Sequence, residues 1–132
     1  MRLEITRRAD LSVRALRALQ PAGVRRKAGD LAAELGTTAG FLAQAMTPLV
    51  RAGWVGSVPG PGGGYVARDA GPSLLEVLEA VDGPTITGQC VVAGRPCRDD
   101  DPCALHHAWL SARGALLDTL ASTSAIDPKE NP

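Results

Sequence analysis

The stretch Trp54-Val55-Gly56-Ser57-Val58-Pro59-Gly60-Pro61-Gly62-Gly63-Gly64-Tyr65-Val66-Ala67 decides the fold of this chain. Trp54 to Val58 reads as a strand and Tyr65 to Ala67 as its return partner. Aromatic and β-branched residues favour a half-buried pleated surface. Pro59 to Gly64 consists of proline and glycine alone, which makes it a flexible hairpin tip. The glycine run lacks the Lys-Ser/Thr pair that a nucleotide phosphate loop needs.

Three helical patterns precede this hairpin. Val13, Leu16 and Leu19 recur at three-residue spacing, which predicts a helix over about 7–20, stopped by Pro21 and Gly23. Ala28, Leu31, Ala32 and Leu35 predict a second over about 27–35, closed by Gly36. Thr37 or Thr38 caps a third, with Phe41, Leu42, Ala45 and Leu49 as its apolar face and Gly53 at its end. Pro48 lies inside that helix and should bend it. Two short helices joined by a Gly-Thr-Thr turn and followed at once by a hairpin form a winged helix-turn-helix, whose second helix enters the DNA major groove.

Beyond the hairpin, Ser73-Leu74-Leu75-Glu76 is a capping box that opens a fourth helix, ended by Gly83 and Pro84. A last helix is expected from about Pro102 to Ser122. Its stripe of Leu105, Trp109, Ala112, Leu116, Leu117 and Leu120 is more apolar than a monomer of this size easily covers. The fold class is therefore mainly α with a small β-hairpin. Residues 1–83 form the winged helix-turn-helix, 84–102 a cysteine-bearing loop, 103–123 a dimerisation helix and 124–132 a frayed tail.

The 132 residues suffice for one modest core, built of Leu, Val and Ala because only 3% are aromatic. No apolar run reaches the roughly 18 residues that a membrane span needs, and Met1-Arg2-Leu3-Glu4 is not a secretory signal. A cytoplasmic protein is expected. Net charge is zero but polarised. Residues 1–27 carry eight basic against two acidic side chains, and residues 69–132 carry four basic against ten acidic. One end suits phosphate and the other does not.

Cys90, Cys97 and Cys103 fall in the loop between the last two helices, and the chain has no other cysteine. Crowded thiolates repel one another unless a metal or an iron–sulfur cluster neutralises them. In a reducing compartment such a group serves metals more often than disulfides. A Cys3His zinc site is an alternative, weakened by the lack of a tight Cys-x2-Cys knuckle.

Ala28 to Gly53, the tip Gly60-Pro61-Gly62-Gly63-Gly64-Tyr65, the segment Leu75-Glu76-Val77-Leu78-Glu79-Ala80-Val81-Asp82-Gly83 and the three cysteines together resemble the IscR/NsrR family of iron–sulfur winged-helix transcription regulators. The likeness runs from Met1 to about Ala121 and is greatest to the nitric-oxide-sensing NsrR branch. It implies a homodimer paired through the C-terminal helix, with Cys90, Cys97 and Cys103 each on iron. The fourth ligand stays open. His106, three residues after Cys103, resembles the histidine of [2Fe–2S] members, and a helical step of three would put both side chains on one face. Asp10 resembles the aspartate that reaches a [4Fe–4S] cluster in the other subunit, and that cluster type is the favoured reading.

The expected function is cluster-dependent repression of transcription at a palindromic operator in double-stranded DNA, with nitric oxide, oxidants or cluster supply as the signal. An electron-transfer or cluster-carrier protein is the competing class, as is a zinc-stabilised DNA-binding module. No nucleophile–base pair points to an enzyme. Candidate base contacts are Thr38, Ala39, Phe41 and Gln44, since Gln bonds adenine bidentately and Ala or Phe touches a thymine methyl. Thr37, Arg51, Arg25, Arg26 and Lys27 suit phosphate, with Gly62 and Gly63 at the wing. Pro59, Pro48 and Val50 stand where basic residues are common in the family, which predicts a shallower salt dependence.

Overall fold

The computed structural model describes residues 3–127. In chain order they form α1 (Arg7–Ala18), α2 (Ala28–Glu34), α3 (Ala39–Arg51), β1 (Val55–Val58), β2 (Gly64–Ala67), α4 (Leu74–Asp82) and α5 (His106–Ser122). The first six elements lie within a few residues of their expected positions. Their caps explain why. Thr6 Oγ1 accepts from the Ala9 N–H at the start of α1, and Thr38 Oγ1 accepts from the Phe41 N–H at the start of α3. At α4 the Ser73 hydroxyl and the Glu76 carboxylate close both halves of the capping box.

α1, α3 and α4 pack on one another around Leu16, Leu19, Leu42, Met46, Leu49 and Val77, all buried, and Leu31 of α2 joins them. Ser12, also buried, donates to the Ala45 carbonyl at 2.8 Å and so ties α1 to α3. α3 continues through Pro48 to Arg51. β1 and β2 pair antiparallel, with Val55 opposite Ala67 and Val58 opposite Gly64. The pairing of Arg26 with Tyr65, through two hydrogen bonds of 2.8 Å, adds a third short edge that the strand pattern did not announce.

Two expectations are corrected. The last helix begins at His106 and not near Pro102, so Cys103 precedes it and no helical step relates Cys103 to His106. Instead the His106 N–H donates to the Cys103 carbonyl at 3.1 Å, in the turn that leads into α5. The chain after Ser124 is not frayed as far as Ile126. Ala125 is fully buried, its N–H donates to Pro72 and its carbonyl accepts from Arg17 Nε at 2.8 Å. A small side chain in a core niche carries no periodicity, which is why the sequence hid it. Residues 128–132 of the expected tail lie outside the described residues.

α5 packs on α4 and buries little of itself. Only His106 along it is buried, while Leu110 and Leu116 are exposed, as is Leu105 just before it.

Candidate metal centre and nucleic-acid interface

The cysteine loop is a small hairpin docked at the head of α5. Gln89 pairs with Pro96, the Cys90 N–H donates to the Arg95 carbonyl at 2.8 Å, and the Cys97 N–H donates to the Gly88 carbonyl at 2.9 Å. Arg95 pins the loop further by donating to the Asp101 carbonyl and pairing with its carboxylate. Within it the donors meet in two pairs. Cys90 Sγ lies 3.4 Å from Cys103 Sγ, and Cys97 Sγ lies 3.5 Å from His106 Nδ1. Cys90, Cys97 and His106 line one small cavity with Trp109, Leu110 and Arg113.

The electrostatics shift Cys90 toward its thiolate form. The backbone hydrogen bond to Val92 holds the Cys90 thiol below its ordinary range, with help from Cys103 and the Arg95 charge and against partial burial. On the other face of the imidazole, His106 Nε2 lies 3.2 Å from Asp99 Oδ1. A proton at Nε2 facing that carboxylate leaves the Nδ1 lone pair directed at Cys97. The Asp99 contact was not legible in the sequence, where Asp99-Asp100-Asp101 reads as a solvated run. Asp100 does behave so, paired with Arg98 at 2.8 Å, which lowers its carboxyl below the usual range.

Two thiols and an imidazole around one cavity, with the Cys103 thiol against Cys90, are a donor set that fits iron, an iron–sulfur cluster or zinc. Among the described residues, however, no three such groups are arranged around a single metal position. The two pairs must draw together for one group to be held. Asp10 is not part of this assembly. It is exposed in the first turn of α1, 3.8 Å from Arg14.

The other candidate face is built by α3 and the hairpin. Thr38, Ala39, Gln44 and Arg51 are exposed on or beside α3, Arg25, Lys27 and Gly62 are exposed nearby, and Thr37 is half-buried. Three expected contacts are placed otherwise. Phe41 is half-buried against the core. Gly63 is buried, and a Cβ there would lie 1.9 Å from the Val58 carbonyl oxygen, so hairpin closure explains its glycine. Arg26 pairs with Glu34 and donates to the Ala18 carbonyl at 3.2 Å.

Arg26 exemplifies how this chain employs its basic end. Arg8 donates to the Val81 carbonyl, Arg14 to Leu35 and Arg26 to Ala18, so arginines satisfy open carbonyls where α4, α2 and α1 end, while Arg17 donates to Ala125 beyond α5. The charge count therefore overstated what faces phosphate. Conversely, Ala43 and Thr47 were not singled out as contacts, yet they line a groove with Val50, Arg51, Ser57 and Tyr65 between α3 and the hairpin. The polar complement of the apolar stripe, at the spacing 40, 43, 44, 47 and 51, was the available signal.

The Rrf2 family model, described as an iron-dependent transcriptional regulator, matches residues 5–127. The HTH-type transcriptional regulator IscR of Xenorhabdus nematophila is 34% identical over 104 residues, covering 77% of this chain and 63% of that protein. IscR of Cronobacter sakazakii is 37% identical over 82 residues, covering 61% of this chain and 50% of that one. The chain thus spans about half to two-thirds of the length of these curated relatives. Among solved structures, the oxidized form of Staphylococcus aureus CymR matches with a TM-score of 0.71 at 23% identity, covering 93% of each chain. T. potens IscR matches at 0.68 and 22%, covering 93% of this chain and 83% of that one. At such identities the likeness is one of fold. The matched family and curated relatives are transcriptional regulators rather than enzymes, and this chain belongs to the Rrf2 family of transcriptional regulators.

Proposed function

We propose that this protein is an iron–sulfur-dependent repressor that binds a palindromic operator as a homodimer in the cytoplasm and responds to nitric oxide or redox state. The observation that carries this reading is the convergence of Cys90, Cys97, Cys103 and His106 at the head of α5, in a chain whose other end is a winged helix. When bound there, a cluster supplies iron whose ligation is labile toward nitric oxide and oxidants. Cys90, Cys97 and Cys103 would hold it. His106, poised through Nδ1 and backed by Asp99, suits the fourth position within one protomer. That supports a [2Fe–2S] cluster, while Asp10 and a [4Fe–4S] cluster require the ligand to come from the partner of a dimer.

The chain's own bonds supply a route from this loop to DNA. Asp82 ends α4, directly ahead of the loop, and accepts from Thr6 Oγ1 at 2.8 Å. Arg8 joins the same end through the Val81 carbonyl. Both residues sit at the start of α1, and one turn further Ser12 bonds Ala45 in α3. A loop that moves therefore bears on α1, and α1 bears on the helix that carries Gln44 and Arg51. In a dimer, two such helices read half-sites about one DNA turn apart. The exposed Leu105, Leu110 and Leu116 give α5 an apolar surface for the second copy.

Purification without oxygen, a visible spectrum and an iron and sulfide assay test the reading, with nitric oxide then titrated against binding to an operator selected from random duplex DNA. About two irons per protomer support His106 and about four support Asp10. Loss of DNA binding with the colour supports the sensor. A colourless zinc protein overturns the cluster assignment.

A further inference from the structure

The three thiols are not equivalent. Sequence separation alone favours pairing Cys97 with one of its neighbours, because shorter loops cost less entropy to close. The structure does the opposite. Cys90 and Cys103, the pair furthest apart, have their sulfurs 3.4 Å from each other, while Cys97 is turned to the His106 imidazole at 3.5 Å. Backbone bonds hold this arrangement from both sides. The hairpin is locked by the Gln89–Pro96 pairing, and Cys103 is anchored by the His106 N–H at the root of α5. All three cysteines are free and half-exposed, and Val92 to Gly94 at the hairpin turn are open to solvent.

We propose that Cys90 and Cys103 form an intramolecular disulfide when the metal-free protein meets a peroxide, while Cys97 stays reduced beside His106. The sulfurs need only close from 3.4 Å to the roughly 2.05 Å of a disulfide bond. One thiol of the pair attacks a peroxide oxygen, the O–O bond breaks, and a sulfenic acid and one water result. The second sulfur attacks the sulfenic sulfur, the S–O bond breaks, and a second water leaves. Two thiols thus lose two electrons and two protons, and one hydrogen peroxide becomes two waters. Because the bond withdraws two of the three thiols, the oxidised loop no longer offers its full donor set to any metal. The proposal rests on sulfur geometry and does not depend on the cluster reading.

The test uses full-length protein that is stripped with chelator, reduced, freed of reductant, and given one equivalent of hydrogen peroxide. Remaining thiols are blocked with N-ethylmaleimide and the protein is digested with trypsin. The Arg95-Pro96 bond resists trypsin, so Cys90 and Cys97 share peptide 69–98 while Cys103 falls in 99–113. The expected product joins these two peptides, with one maleimide located by fragmentation on Cys97. Cys97→Ser should still join the two peptides at the wild-type rate, while in Cys90→Ser and Cys103→Ser the cross-link should form more slowly by about tenfold or more. Maleimide on Cys90 or Cys103, a bond between protomers, or sulfinic acids without a disulfide would overturn the proposal. The cluster reading fails separately, through the colour and iron content of the untreated protein.

Discussion

The Ser12 hydroxyl, buried in α1, donates to the carbonyl oxygen of Ala45 in α3 at 2.8 Å, while also lying 2.9 Å from its own helix at Arg8. A single hydrogen atom thus links the supporting helix to the helix that bears the candidate base contacts. Ser12→Ala removes that link and leaves a small void. The expected cost is about 1 kcal/mol of stability, seen as a fall of roughly 4 °C in melting temperature. Stability equal to the wild type in urea titration would show that the link contributes nothing.

Thr6 has two tasks, accepting from the Ala9 N–H at 3.0 Å as helix cap and donating to Asp82 at 2.8 Å. Thr6→Ala loses both, at about 1 kcal/mol or more, and Asp82→Ala loses the tie together with its 3.6 Å ion pair to Arg8 but keeps the cap, at about half that. A double-mutant cycle should give a coupling of about 0.5 kcal/mol. Additive effects would remove the α4–α1 tie from any account of switching.

The hairpin glycines divide sharply. A Cβ at Gly64 would lie 2.0 Å from the Arg26 carbonyl oxygen and one at Gly63 only 1.9 Å from that of Val58, whereas Gly62 is open. Gly63→Ala and Gly64→Ala should each cost about 2 kcal/mol or more, while Gly62→Ala should stay within about 0.5 kcal/mol. Thermal melts of the three variants decide it.

Gln44 and Arg51 are both exposed on α3 and should fail differently. Gln44→Ala is expected to relax discrimination at one A·T pair by about 1–3 kcal/mol. Arg51→Ala should weaken all sequences alike and lower the salt slope by about 1. Arg26→Ala should instead lower stability, since its guanidinium holds Glu34 and Ala18. Binding isotherms over a range of salt concentrations, alongside melts, separate the three.

Leu116 is 53% exposed midway along α5. Leu116→Glu places a charge where a second copy would pack and should yield monomers with weakened operator binding. Sedimentation velocity at micromolar concentration reads this directly, and an unchanged dimer would place the interface elsewhere.

Local elements were legible because their causes are local. The stripe Leu42, Ala45, Leu49, the Thr38 cap and the Ser73–Glu76 box each act within a turn or two of helix, so residue order alone carries them. The hairpin was legible for the same reason, from β-branched strands around a proline-glycine tip. The cysteine loop was visible as chemistry, since thiol crowding is a property of sequence.

By itself, then, the sequence determined the elements, the winged architecture and the crowding of three cysteines ahead of the last helix. Tertiary structure decided what the donors and cations touch. It put Cys90 against Cys103 rather than against nearer Cys97, backed His106 with Asp99, turned Arg8, Arg14, Arg17 and Arg26 onto carbonyls, and seated Ala125 in the core. These pairings span from 7 to 108 residues along the chain. No local preference selects them. They arise because each buried carbonyl needs a donor and each packed face needs a partner, and only the folded chain fixes which group is within reach.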